Sequence, residues 1–226
     1  MIGILSAGPI GLLSRDDIEY PSGKPPTKDE IELGKILFFD PRLSGNKTQS
    51  CATCHDPNLG WGYGMAKGLG SEGNTLARNS PHVFNLAWMN SFFWDGRSDS
   101  LEKQILLAIK NPATMNLPPD EMMKRVTASP YYDKQFKKAY KDGVTADNLA
   151  NALAAFQRTL IVDNTPFDQY MKGNKNAMSP DAIRGMNLFT GKANCTTCHD
   201  GGNFTDGSYH NLGLGDKDIG RGKVDT

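Results

Sequence analysis

The chain has 226 residues, with 25 Lys or Arg balanced by 25 Asp or Glu, for a formal net charge of zero. No basic tract is present, which argues against nucleic acid and anionic membranes as partners. No run approaches the ~20 apolar residues of a membrane span. The length suggests one or two domains. The opening segment Met1 to Ile10 is mildly apolar, lacks a basic start and breaks at Gly8-Pro9, so it does not read as a signal peptide.

Residues 1–26 read as an arm rich in Gly and Pro. Thr27-Lys28-Asp29-Glu30 is a capping box, predicting a helix through Phe38 that Asp40-Pro41 stops. Residues 58–79 form a glycine-rich loop of a length usually tied to function or motion. Phe92 to Arg97 makes an aromatic turn. A helix is predicted from Ser98 or Asp99 to Lys110, ended by Asn111-Pro112. Pro118-Pro119 opens a short helix through Val126, and Pro130 heads another to about Lys141. Thr145 caps a long helix to Ile161, whose Leu149, Leu153, Phe156 and Leu160 form a core stripe. Ser179-Pro180 opens a last helix.

Two pentads carry the chemistry: Cys51-Ala52-Thr53-Cys54-His55 and Cys195-Thr196-Thr197-Cys198-His199. Each has the pattern of a c-type haem attachment site. Two thiols three residues apart reach the two vinyl groups of one porphyrin, and the next histidine is placed to coordinate its iron. The pentads use all four cysteines. Zinc pairs lie closer together, about 15–20 residues apart. A thioredoxin-type pair needs a βαβ context, and two disulfides form the remaining rival.

Gly34-Lys35-Ile36-Leu37-Phe38 and Gly185-Met186-Asn187-Leu188-Phe189 echo each other ahead of the two sites, as two related cytochrome-like units would. The expected fold is mainly α, with two cytochrome c-like haem domains and long loops. Residues 27–165 form the first domain. Residues 166–226 form the second, which reads as incomplete because Asp216 to Thr226 resembles a loop interrupted mid-domain. Small domains of this kind need buried haem to complete their cores.

The chain resembles the bacterial di-haem cytochrome c peroxidases and their relatives, the di-haem enzymes of methylamine utilisation. Carrying the resemblance are Leu37 to Ser44, the first pentad, Arg78-Asn79-Ser80-Pro81, Phe93-Trp94-Asp95-Gly96-Arg97, Gln104, Asn111-Pro112 and the second pentad. It implies two covalent haem c groups, with Cys51, Cys54 and His55 holding the peroxide-reacting one. Cys195, Cys198 and His199 would hold a relay haem fed by a small cytochrome c or cupredoxin. It further implies hydrogen peroxide as substrate, a periplasmic location with a signal removed or outside this numbering, and a possible homodimer. Peroxide-driven oxidation of an aromatic residue in a partner protein, or electron transfer without catalysis, are the competing functions.

For single residues the resemblance leaves pairs of readings. Trp94 matches an aromatic stop for electrons between the haems, or it is a buried anchor. Asn79 matches a calcium ligand, for which an amide oxygen is suited, or it is a turn residue. Gln104 is placed to orient peroxide. Ser71 stands where many relatives carry a second histidine, and residues 57–78 contain none. Thr114 stands where relatives carry the distal glutamate, and a hydroxyl is a poor base near neutral pH. His82 replaces that acid–base group, binds iron, or is simply a loop histidine; His210 is a weaker candidate, and Met65 or Tyr63 are alternative sixth ligands of the first haem. The resemblance places the sixth ligand of the second haem, a Met or Tyr, beyond Thr226; Tyr209 comes too early.

Overall fold

The computed structural model describes residues 10–215 and 218–224; the apolar start with its Gly8-Pro9 break lies outside them. Among the described residues there are helices and short turns but no named strand, only three isolated bridges. The mainly helical expectation holds. The α-helices are α1 Lys28–Phe38, α2 Cys51–Cys54, α3 Leu101–Lys110, α4 Pro119–Thr127, α5 Pro130–Ala139, α6 Ala146–Arg158, α7 Pro166–Met171 and α8 Pro180–Thr190.

Local chemistry sets most of these ends. The Thr27 hydroxyl accepts from the Glu30 amide, and the Glu30 carboxylate accepts from the Thr27 amide. Ser100 caps α3 by accepting from Lys103 N, so the helix starts later than Ser98 or Asp99; Asp99 pairs with Lys103 instead. Helix α5 stops at Ala139, before a turn in which Gly143 has φ +70°. Helix α6 stops at Arg158 rather than Ile161, because Leu160 leaves the helix and its carbonyl accepts from Asn85 N.

The chain divides into two packing units, both discontinuous: Met1–Glu19 with Ile161–Lys217, and Tyr20–Leu160 with Asp218–Thr226. The linear borders expected at 26/27 and 165/166 therefore do not match the packing. Residues 218–224 group with the unit that carries the first pentad, and Gly220–Lys223 form a 3₁₀ turn where loop was expected.

In the first-pentad unit the core is built on α6, which lies against α1 and α3. Leu33, Leu37 and Phe38 of α1, Leu101, Ile105 and Ile109 of α3, and Leu149, Leu153 and Phe156 of α6 are all buried. Gly34 makes the α1–α6 approach possible: a Cβ there would lie 1.8 Å from the Ala152 carbonyl oxygen. Arg158 of α6 pairs with Glu102 of α3 at 2.5 Å. Arg125 of α4 pairs with Glu121 and donates to the carbonyls of Arg42, Ser44 and Gly45, so one guanidinium braces the turn that precedes the first pentad.

That turn also holds a buried carboxylate. Asp40 is chelated by the Arg42 guanidinium and accepts from the Tyr132 hydroxyl. Burial raises the Asp40 pKa, but the bonds from Arg42 and Tyr132 outweigh it and hold it below the usual carboxylate value. A depressed folded-state pKa contributes stability that is complete above the unfolded value, about 3.9, and lost as pH falls through the folded value. Tyr132→Phe is expected to cost about 1.5–3 kcal/mol at pH 7, as for a hydrogen bond to a charged group, narrowing to about 0.5–1.5 kcal/mol in acid. Urea unfolding at pH 7 and at a pH below the folded value of Asp40 checks this; an equal cost at both would contradict it.

In the other unit, α8 has no buried residue. Gly202 is close-packed instead, its position for a Cβ lying 2.9 Å from the Leu13 amide nitrogen. Arg15 pairs with Asp163 at 2.7 Å.

Candidate haem sites

The first pentad is the single helical turn α2, which sets Cys51 and Cys54 on one face. The His55 amide donates to the Cys51 carbonyl at 2.9 Å. The second pentad runs through a 3₁₀ turn at Cys195–Thr197, and the His199 amide donates to the Cys195 carbonyl at 3.0 Å. All four cysteines are free of disulfides. Among the described residues no three His, Cys, Asp or Glu side chains converge on a metal position. The disulfide and zinc rivals thus find no support.

The two histidines are oriented alike. His55 Nδ1 lies 2.9 Å from the Pro81 carbonyl oxygen, and His199 Nδ1 lies 3.1 Å from the Phe204 carbonyl oxygen. A carbonyl only accepts, so each Nδ1 carries the proton and each Nε2 keeps its lone pair for a metal. Partners of this kind fix the tautomer and the ring direction of metal-bound histidines. Burial pushes the His55 pKa down, against the opposing pull of the Pro81 and Trp61 carbonyls. Burial also pushes the Cys51 thiol up to about 12. Two thiols on one turn followed by a histidine with Nε2 free fit covalent haem with one axial imidazole, at both sites.

Trp61 was not apparent as a site residue. It has φ +58° in the glycine-rich loop and meets Phe38 and Phe156 edge-on, with centroids 6.0 and 6.1 Å away. Its amide donates to the Asp56 carbonyl and its carbonyl accepts from the Val83 amide. The loop after the pentad is therefore anchored to the α1–α6 core through one indole.

Trp94 projects from a braced turn. Phe92 N donates to Ser98 O, and Phe93 and Gly96 both have positive φ. Asp95, 7% exposed at its side chain, pairs with Arg78 at 2.8 Å and Arg97 at 2.7 Å. Burial raises the Asp95 pKa, and Arg78 and Arg97 hold it below the usual range. Arg78 also pairs with Asp218, and Arg221 donates to the Asp95 carbonyl. The Trp94 indole N–H donates to the Asn79 carbonyl at 2.8 Å, and the indole is 56% exposed, so within the chain it is not a buried anchor. The Asn79 amide group donates to the Met65 carbonyl, leaving its oxygen as a single neutral donor. Among the described residues no group of three His, Cys, Asp or Glu side chains could hold a metal ion.

Gln104 is half-buried on α3, and its side-chain amide has no hydrogen-bond partner among the described residues. The Thr114 hydroxyl donates to the Ala108 carbonyl at the end of α3 and lies 3.3 Å from the Asn111 carbonyl, so its proton is committed to capping. His82 is exposed and stacked on Phe84, with centroids 3.9 Å apart; partial burial of its ring lowers its pKa, against the opposing pull of a backbone bond to Phe84. It follows Pro81, whose carbonyl lies 2.9 Å from His55 Nδ1. His210 pairs with Asp206 at 2.8 Å in the loop after the second pentad. A cleft of about 340 Å³ lies beside Phe93, Leu107 and Asn111, and no pentad residue lines it.

A family model described as di-haem cytochrome c peroxidase matches residues 28–176. The methylamine utilization protein MauG of Methylorubrum extorquens is 44% identical over 211 residues, covering 92% of this chain and 60% of that protein. The cytochrome-c peroxidase IdrP1 of Pseudomonas sp. is 40% identical over 202 residues, covering 88% of this chain and 53% of that protein. The crystal structure of a MauG-like protein associated with microbial copper homeostasis superposes with a TM-score of 0.77 at 28% identity, over 88% of this chain and 63% of that one. The chain thus spans between 53% and 63% of the length of the curated relatives it matches.

Proposed function

Because the chain belongs to the di-haem cytochrome c peroxidase family, we propose that it reduces hydrogen peroxide to water at the His55 haem. Two electrons and two protons are consumed per peroxide. The electrons come from a small soluble cytochrome c or cupredoxin through the His199 haem, with Trp94 as a stop on the route. The observation that carries this reading is the pair of histidines with Nδ1 tied to a carbonyl and Nε2 free. The inequality of the two sites supports the assignment of roles: residues 57–78, after the first pentad, offer no histidine as a second ligand.

Haem supplies a redox-active iron at each site. The protein's part is to hold and orient. Pro81 fixes the His55 ring. The uncommitted Gln104 amide can donate to one peroxide oxygen and accept from the other, which orients the substrate without exchanging protons. Thr114 closes the end of α3, and His82 is exposed and stacked on Phe84, so neither is assigned the proton transfer between the peroxide oxygens. That transfer falls to water. We place the protein in the periplasm, where covalent c-type haem is attached; among the described residues no helix is long and apolar enough to cross a membrane. Calcium at Asn79 and a homodimer belong to the same proposal, and no step is derived through either.

The test uses the fully haemylated protein with peroxide and a reduced small cytochrome. Catalytic oxidation of two donor molecules per peroxide is expected. A first haem whose spectrum peroxide leaves unchanged would overturn the reading in favour of electron transfer alone. A second reading, oxidation of an aromatic residue in a partner protein, draws on the exposed Trp94 indole. It predicts that donor cytochrome is not consumed while an oxidised partner residue appears in the mass spectrum.

A further inference from the structure

Among the described residues, one buried side-chain polar atom lacks a hydrogen-bond partner: the Ser71 hydroxyl. Ser71 is 6% exposed. Native folds rarely bury an unpaired hydroxyl, and one that persists points to a partner other than the protein chain.

The surroundings of Ser71 indicate which partner. Its amide donates to the Thr114 carbonyl at 2.8 Å, and its carbonyl accepts from Asn46 Nδ2. The Gly70 carbonyl accepts from Gln49 Nε2 at 3.2 Å, and Cys54 Sγ lies 3.6 Å from the Leu69 carbonyl. Two successive carbonyls, 70 and 71, are thus held by side chains from the segment that enters the first pentad, and the third, of Leu69, lies beside the Cys54 sulfur. On the other side, a Cβ on Gly70 would lie 2.1 Å from the Ala113 carbonyl oxygen, so the loop is pressed against the segment after α3. The backbone is fixed beside a haem-attaching sulfur, and the hydroxyl is its uncommitted polar group.

We propose that the Ser71 Oγ–H is a hydrogen-bond donor to an oxygen or anionic acceptor that the first haem brings, either an exogenous ligand taken up at its iron or a propionate. The hydroxyl keeps its proton and stabilises negative charge on the acceptor, so Ser71 is a binding residue and not an acid or base. The inference rests on the haem assignment of the proposed function, and its iron arm also rests on an open coordination position.

Ferric, fully haemylated wild type, Ser71→Ala and Ser71→Thr are compared in two measurements: fluoride titration followed by absorption, and the midpoint potential of the first haem. Fluoride binds ferric iron and accepts hydrogen bonds. With the acceptor at the iron, Ser71→Ala weakens fluoride binding about tenfold or more, Ser71→Thr restores it, and the midpoint stays put. With a propionate acceptor, the midpoint shifts in Ser71→Ala and returns in Ser71→Thr, while any fluoride affinity is unchanged. Ser71→Ala unchanged in both measurements overturns the proposal. A wild type that refuses fluoride but whose midpoint moves in Ser71→Ala supports the propionate contact and counts only against the open iron of the peroxidase reading.

Discussion

His55→Ala is expected to lower peroxide-driven oxidation of a reduced small cytochrome by more than about 100-fold. Removing an outer partner of a metal ligand typically costs about 10–100-fold, and the ligand itself outranks its partners. Haem should remain attached in this variant, because Cys51 and Cys54 form the covalent bonds. Loss of activity would then trace to the axial imidazole and not to missing cofactor, which the intensity of the haem band in a denaturing gel checks. His199→Ala is expected to fail in a different way. Steady-state turnover falls because electrons no longer arrive, yet a single addition of peroxide still reacts with the first haem. Rapid-mixing absorption separates the two. If His199→Ala lost the single-turnover reaction and His55→Ala kept it, the roles assigned to the two haems would be reversed.

The two histidines illustrate what could be read along the chain and what could not. A thiol pair followed by histidine is a local device, so five consecutive residues announced each haem. The partner that orients each imidazole is a backbone carbonyl, and any residue supplies one. Nothing at Pro81 or Phe204 marks it for that task; only the fold brings it to Nδ1. The same limit applies to Trp61, which sat unremarked among glycines, and to Asn46 and Gln49, which reach forward to the loop. His82 and Thr114 show the same limit at side chains: residue type left each with more than one reading, and only the fold shows that the Thr114 hydroxyl donates into the end of α3 and that His82 stacks on Phe84. Helices with caps were legible to within a few residues. Helix α7 was missed although Thr165 and Asp168 form a capping box with Pro166 at its first position, a signal as explicit as the one at Thr27. The packing units were not legible, because residues 218–224 rejoin a unit begun near residue 20 through Arg78 and Asp95, and such long-range ion pairs leave no local trace.

The Gly-x-x-Leu-Phe echo yields the second large effect. The same residue in the same motif is expected to respond to substitution with opposite sign. At Gly34, a Cβ would sit 1.8 Å from the Ala152 carbonyl oxygen and 2.9 Å from Phe156 Cβ. Both belong to α6, whose buried backbone has no room to retreat. Gly34→Ala is expected to destabilise by about 1–3 kcal/mol through overpacking, despite the gain of up to about 1 kcal/mol that alanine offers in a helix. Gly34→Val adds a branched side chain to the same clash and should exceed that range. The damage should spread to the first haem site, because Phe156 and Phe38 are the rings that hold Trp61 and hence the loop beside His55. At Gly185 nothing lies within 4 Å of the added Cβ. Leu188, the counterpart of fully buried Leu37, is 54% exposed. Gly185→Ala should therefore collect the helix propensity alone and stabilise by up to about 1 kcal/mol. Chemical denaturation of the fully haemylated variants, followed by circular dichroism, reads both signs. If Gly34→Ala proved as stabilising as Gly185→Ala, the close α1–α6 approach that positions the first haem turn would be wrong.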